Sequence, residues 1–118
     1  MLAKNRIDHP PKDRFEAAGI AAEKQLAHYL NRGFGETKHV FIFNDLRVVH
    51  NGEVAQIDHL VLHGSGLVII ESKSVSTSIS VNRQGEFTRT YQGKRSGMPS
   101  PIEQAKRQGD LLRKLLQA

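Results

Sequence analysis

Two tight-turn signals constrain this chain more than any other feature. Asn51-Gly52 is a strong signal for a two-residue type I′ hairpin, and Gly64-Ser65 fits a type II′ turn. Around them lie Val40–Phe43, Leu46–Val49, about Glu53–His63, and Gly66–Ser74, rich in β-branched and aromatic residues. A two-residue turn fixes the register of the strands it joins. These segments therefore read as a three-strand antiparallel meander. If His63 pairs with Gly66, Asp58 falls opposite Glu71 and Gln56 falls opposite Lys73. The last strand is apolar on both faces at its start, which predicts a central strand buried on both sides.

Helices flank the meander. Asp13 is an N-cap with Glu16 three residues on, and Phe15, Ala18, Ala22, Leu26 and Tyr29/Leu30 then recur at helical spacing until Gly33 and Gly35. Ser100-Pro101-Ile102-Glu103 opens a second helix that runs toward Ala118, with Leu111, Leu112, Leu115 and Leu116 apolar. Between meander and second helix, Ile79–Val81 and Phe87–Tyr91 predict a small hairpin, and Lys94–Ser100 reads as a loop. Residues 1–12 read as a flexible lead-in ending in Pro10-Pro11, and 13–118 as a single domain.

Composition removes several chemistries. The 118 residues include no Cys, so there is no disulfide scaffold, thiolate zinc site or cysteine nucleophile. No apolar stretch approaches the ~20 residues of a membrane span. Met1–Pro11 is polar and mixed in charge, unlike a signal peptide. A cytoplasmic protein without membrane contact is the expectation. The net charge is +5, and all of it sits late: residues 1–59 hold eight basic and eight acidic residues, residues 60–118 nine and four. That excess points to an anionic partner such as nucleic acid, although a solvated helix face is its commoner cause.

The polar residues of the strands carry the chemistry. Two carboxylates facing each other, Asp58 and Glu71, repel unless something compensates them. A divalent cation does so, since Mg²⁺ is often held by one or two carboxylates plus water and phosphate oxygens. Lys73, on the face of Glu71, can orient or deprotonate water or balance phosphate charge. Glu23 borders the apolar stripe of the first helix. Gln104 sits near the start of the second helix, with Gln108 along the same side.

Gln56-Ile57-Asp58-His59 followed by Ile70-Glu71-Ser72-Lys73 resembles the nuclease-related domain, NERD, a branch of the PD-(D/E)XK nuclease superfamily. The resemblance extends to Glu23 and to Pro101…Gln104, over about residues 17–115. It implies an α/β fold with a PD-(D/E)XK-like core: helix, three-strand antiparallel meander plus small hairpin, second helix. The superfamily's usual final strand is missing from that order. It also implies that Asp58 and Glu71 hold Mg²⁺ (or Mn²⁺), with Glu23 at the metal directly or through water. Lys73 would assist the water, and Gln104 would support Lys73 or the metal shell. The implied function is metal-dependent phosphodiester hydrolysis, DNA favoured, in a bacterial DNA-processing context. Implied partners are a second copy of the chain, or a helicase or zinc-ribbon module in a longer parent protein. The rival is a non-catalytic nucleic-acid-binding module of a DNA-repair protein.

Other residues rank lower. Lys94-Arg95, Arg89 and Lys106-Arg107 are candidates to track phosphates, with Lys94-Arg95 the best placed. His59 points to the face opposite Asp58 and reads as structural; His50 and His63, at hairpin ends, read as exposed. Asp45 falls opposite Asp58 if the Asn51-Gly52 turn sets the register. Ser72 has no base in view, which argues against a serine nucleophile.

Overall fold

Asn51 and Gly52 take φ of 50° and 80°, the positive values that a type I′ turn needs. They lock Phe41–His50 (β2) onto Glu53–His63 (β3) with His50 opposite Glu53. The computed structural model describes residues 1–74 and 77–118. It adds Leu2–Lys4 (β1), Arg14–Phe34 (α1), Gly66–Ile70 (β4), Ser78–Val81 (β5), Phe87–Tyr91 (β6), Lys94–Met98 (β7) and Pro101–Leu116 (α2). The protein is α/β, with a four-stranded mixed sheet in the order β1-β2-β3-β4 and a three-stranded sheet β5-β6-β7.

The meander and both helix starts match the sequence reading. The Asp13 carboxylate accepts from Glu16 N at 2.8 Å, and Ser100 Oγ accepts from Glu103 N at 3.2 Å. Each satisfies a backbone donor left open in the first helical turn, worth about 1 kcal/mol. Gly66 pairs with His63, as expected from a two-residue loop. The turn is not type II′, however. Neither Gly64 nor Ser65 has positive φ, and Gly66 carries it instead, at 145°.

Several expectations are corrected. Residues 1–12 are not all a loose lead-in, because β1 runs parallel to β2 with Leu2 beside Ile42. Lys4 Nζ reinforces it by donating to Asn44 O at 3.0 Å and Asp45 O at 2.8 Å. Three residues are too few to show a strand period. Lys94–Met98 is a strand rather than a loop, turned back from β6 by Gln92 and Gly93, with φ of 49° and 78°. The strand from Gly66 ends at Ile70 rather than Ser74, and β4 is an edge, so Leu67 and Val68 are exposed. On α1, Phe15 and Tyr29 are exposed at 68% and 56%, because the helix packs through Leu26 and Leu30.

The helices take opposite faces of the larger sheet. Leu26 and Leu30 of α1 pack with Ile42, Val61 and Ile70. Leu111 and Leu112 of α2 pack with Val48, Ile57, Leu60 and Ile69. Burying each such aliphatic side chain stabilises by roughly 1.5–3 kcal/mol. Ile57 and Leu60 both meet α2, although residues three apart on an unbroken strand point to opposite faces. The break is at Asp45, whose φ is 54° and which makes no ladder pair with Asp58 across from it.

Candidate active site

That break sets the direction of Asp58. Past it, Asp58 shares a face with Leu60, toward α2. The β3–β4 ladder ends at His59–Ile70, one residue before Asp58 and Glu71 would pair. The two carboxylates line one groove of about 710 Å³ together with Gln56, Gln104, Arg107, Gln108 and Lys114. The two residues that the register predicts to face each other thus line the same groove.

The surroundings hold the pair in different ways. Ser72 N donates to Asp58 Oδ2 at 2.9 Å, which turns the chain out of the β4 ladder. Gln108 Nε2 donates to Glu71 Oε2 at 3.0 Å. Lys73 Nζ lies 3.5 Å from Glu71 Oε1 and reaches toward solvent. Burial raises the Asp58 carboxyl from 3.8 to about 6; the Ser72 N–H opposes this, and the charges of Glu71 and Glu23 add to it. The carboxylate of Asp58 is thus held at a cost that a cation would relieve.

Gln104 and Gln108 each keep a buried side-chain oxygen without a hydrogen-bond partner. Two carboxylates and two open amide oxygens are all hard donors. Such a set fits Mg²⁺ or Mn²⁺ and offers nothing to a soft metal.

Glu23 does not join them. It belongs to the helix on the other face and lines a separate groove with His9, Lys12 and Glu16. Its Oε2 lies 3.4 Å from Arg6 Nη2, and the Arg6 side chain is only 7% exposed. Among the described residues no three His, Asp or Glu side chains are grouped as a metal site. Glu23 thus lines a different groove from Asp58 and Glu71, although its charge reaches Asp58.

Other candidates fall as follows. Arg107 lines the groove. Lys106 pairs with Glu103 at 3.4 Å. Arg89, Lys94 and Arg95 lie on the small sheet. Asp45 turns toward the N-terminal segment, accepting from Ile7 N at 3.2 Å and from Gln56 Nε2. His59 is fully buried, as a structural residue should be, and its Nδ1 meets Asn44 Oδ1 at 2.8 Å. Burial and the nearby Arg6 charge lower its pKa, so the ring stays neutral. His50 and His63 are half-buried rather than exposed.

Sequence reading named Gln108 without giving it a role, and it missed Arg6. Gln108 had a signal, since it lies one helical turn past Gln104. Arg6 had none, because its partner is fixed only when β1 docks.

A family model described as the nuclease-related domain, NERD, matches residues 18–118. No curated protein and no solved structure matches the chain.

Proposed function

Because the chain belongs to the nuclease-related domain family, we propose that it is a metal-dependent nuclease that hydrolyses phosphodiester bonds, most favourably of DNA, on a PD-(D/E)XK-like core. The observation that carries this reading is that Asp58 and Glu71 line one groove with two α2 amides whose oxygens are open. Asp58, raised in energy by burial and by the charge of Glu71, with hard donors around it, suits a divalent cation.

In this reading Asp58 and Glu71 would hold Mg²⁺ or Mn²⁺, and the open oxygens of Gln104 and Gln108 are further donors in the groove. The bound ion would supply Lewis-acid activation of water and stabilise charge on the phosphate. The Ser72 N–H fixes Asp58, and Gln108 fixes Glu71. Lys73, beside Glu71 and open to solvent, orients the attacking water or takes its proton. Arg107 and Lys114, on the groove wall, balance phosphate charge. The test is cleavage of plasmid DNA with Mg²⁺ or Mn²⁺ by the wild type, Asp58→Ala and Glu71→Ala. Loss of activity in both variants is expected. Equal activity in all three proteins would overturn the assignment.

One observation favours the rival reading of a weakly catalytic binding module: Glu23 pairs with Arg6 at 3.4 Å and lines a groove other than that of Asp58 and Glu71. DNA binding that persists in EDTA, with no product after long incubation with metal, would select that reading.

A further inference from the structure

Among the described residues, three non-glycine residues have positive φ: Asp45, Asn51 and Gln92. Asn51 and Gln92 each precede a glycine in a tight turn between paired strands. Asp45 has no such reason. It lies in the middle of β2, with φ of 54°. A left-handed residue inside a strand is costly and persists only where its surroundings hold it. Here they do. Lys4 Nζ donates to the Asp45 carbonyl at 2.8 Å. Ile7 N donates to its Oδ2 at 3.2 Å, and Gln56 Nε2 to its Oδ1.

The two strands keep one register across Asp45. Asn44 pairs with His59 before it, and Leu46 pairs with Ile57 after it. What changes is the alternation of side chains. Phe43 and Leu46 of β2 both pack on the α2 side, and so do Ile57 and Leu60 of β3. Residues three apart on a regular strand point to opposite faces. Both strands therefore shift their alternation at the same rung, where Asp45 lies across from Asp58.

The consequence falls on Asp58. Ile57 is fully buried in the α2 core. Its neighbour Asp58 lines the groove with Gln104 and Gln108 of α2. Two successive residues of a regular strand cannot both serve one side of a sheet. Without the shift, a strand that kept Ile57 in the core would turn Asp58 toward α1.

We propose that Asp45 is a positioning residue for Asp58: its left-handed backbone shifts the alternation at that rung and turns the Asp58 carboxylate into the groove that Glu71 lines. Its own carboxylate also holds Gln56, which lines the same groove. Aspartate suits both tasks, since it enters the left-handed region more readily than most side chains and offers two acceptors. The consequence for metal binding rests on the reading of Asp58 and Glu71 as the metal-holding pair.

The test compares Asp45→Ala with Asp45→Gly. Both lose the carboxylate, and only glycine takes positive φ freely. Asp45→Asn is the conservative variant, able to adopt the same backbone. One readout is the Ser72 amide followed by NMR in EDTA, because Ser72 N donates to Asp58 Oδ2 at 2.9 Å. The other is Mg²⁺ affinity by calorimetry, with melting temperature as the folding control. In Asp45→Ala the Ser72 amide is expected to shift and to exchange its hydrogen about tenfold faster, with Mg²⁺ bound about tenfold more weakly. Asp45→Gly and Asp45→Asn should restore the Ser72 amide and bind Mg²⁺ within about threefold of wild type. A role in stability alone would move melting temperatures and leave the Ser72 amide of the folded protein where it was. Asp45→Gly decides the matter if Asp45→Ala fails to fold, because its Ser72 amide must match the wild type. A Ser72 amide unchanged in folded Asp45→Ala, or displaced in Asp45→Gly, would overturn the proposal. If the wild type binds Mg²⁺ and Asp45→Ala binds it equally with Ser72 unmoved, positioning fails and the metal reading stands. If Ser72 responds as expected and the wild type binds no Mg²⁺, positioning stands and the metal reading fails.

Discussion

Asp58→Asn should make the metal-free protein more stable at neutral pH. Asparagine keeps the shape and an oxygen acceptor, so the bond from Ser72 N, 2.9 Å in the wild type, can persist. What disappears is the charge. The Asp58 carboxyl rises from 3.8 to about 6 on folding, chiefly because of burial. One pKa unit corresponds to about 1.4 kcal/mol, so full ionisation costs the fold roughly 3 kcal/mol; the groove admits water, and screening reduces this to about 1–2 kcal/mol. The sign follows from linkage. A folded pKa above the unfolded one means that the folded state holds the proton more tightly. This contribution to stability is fully present below pH 3.8 and is lost as pH rises through about 6. The two proteins should therefore match near pH 4, and the variant should lead by about 1–2 kcal/mol above pH 7. His59 acts in the opposite sense. Its pKa is lowered on folding, so its contribution is present above its ordinary value of 6.5 and falls away as pH drops below it. The two effects partly cancel in the wild type, and only the difference between the proteins isolates Asp58. The assay is urea unfolding in EDTA from pH 4 to 8, with m-values compared. Saturating Mg²⁺ should then reverse the order, because about 100-fold excess over Kd stabilises only the protein that binds it, by about 2.7 kcal/mol. A variant less stable than wild type at pH 8 in EDTA would refute the reasoning about burial.

Gln108→Leu removes the donor to Glu71 but keeps a side chain of similar size on α2. Cleavage should fall at least tenfold with the melting temperature changed by less than about 3 °C, as single-turnover rates and thermal melts would show. Asn44→Ala strips the buried His59 ring of its Nδ1 partner and should cost about 2–3 kcal/mol in urea unfolding at pH 7.

The sequence pattern was informative wherever a local rule sets the geometry. Asn51-Gly52 forces its own backbone conformation, and the His63–Gly66 closure fixes which residue faces which. The Asp58–Glu71 pair follows by counting. Asp13 and Ser100 announced their helices because capping is a contact within one turn. Features that depend on distant partners were not legible. β1 is a strand only because β2 offers its edge. Arg6 is buried only because α1 and the N-terminal segment close over it. An apolar run such as Leu67–Ile70 reads the same at an edge as in the centre, since its composition says nothing about the neighbouring strand. β7 was hidden by Gly and Ser in a five-residue strand, a composition that ordinarily marks a loop.

The parallel pairing of β1 has a consequence for the order of assembly. The turns at Asn51-Gly52 and Gly64-Ser65 close very short loops, so β2, β3 and β4 can join early, whereas Leu2 must find Ile42 across about 40 residues of chain. Contacts of long reach form late and open first. Ile42 N, which donates to Met1 O at 2.9 Å, should exchange its hydrogen sooner than the amides between β2 and β3. Opening of that edge carries Arg6 away with β1. It frees the carboxylate of Glu23 and leaves Asp58 and Glu71 in place on the meander.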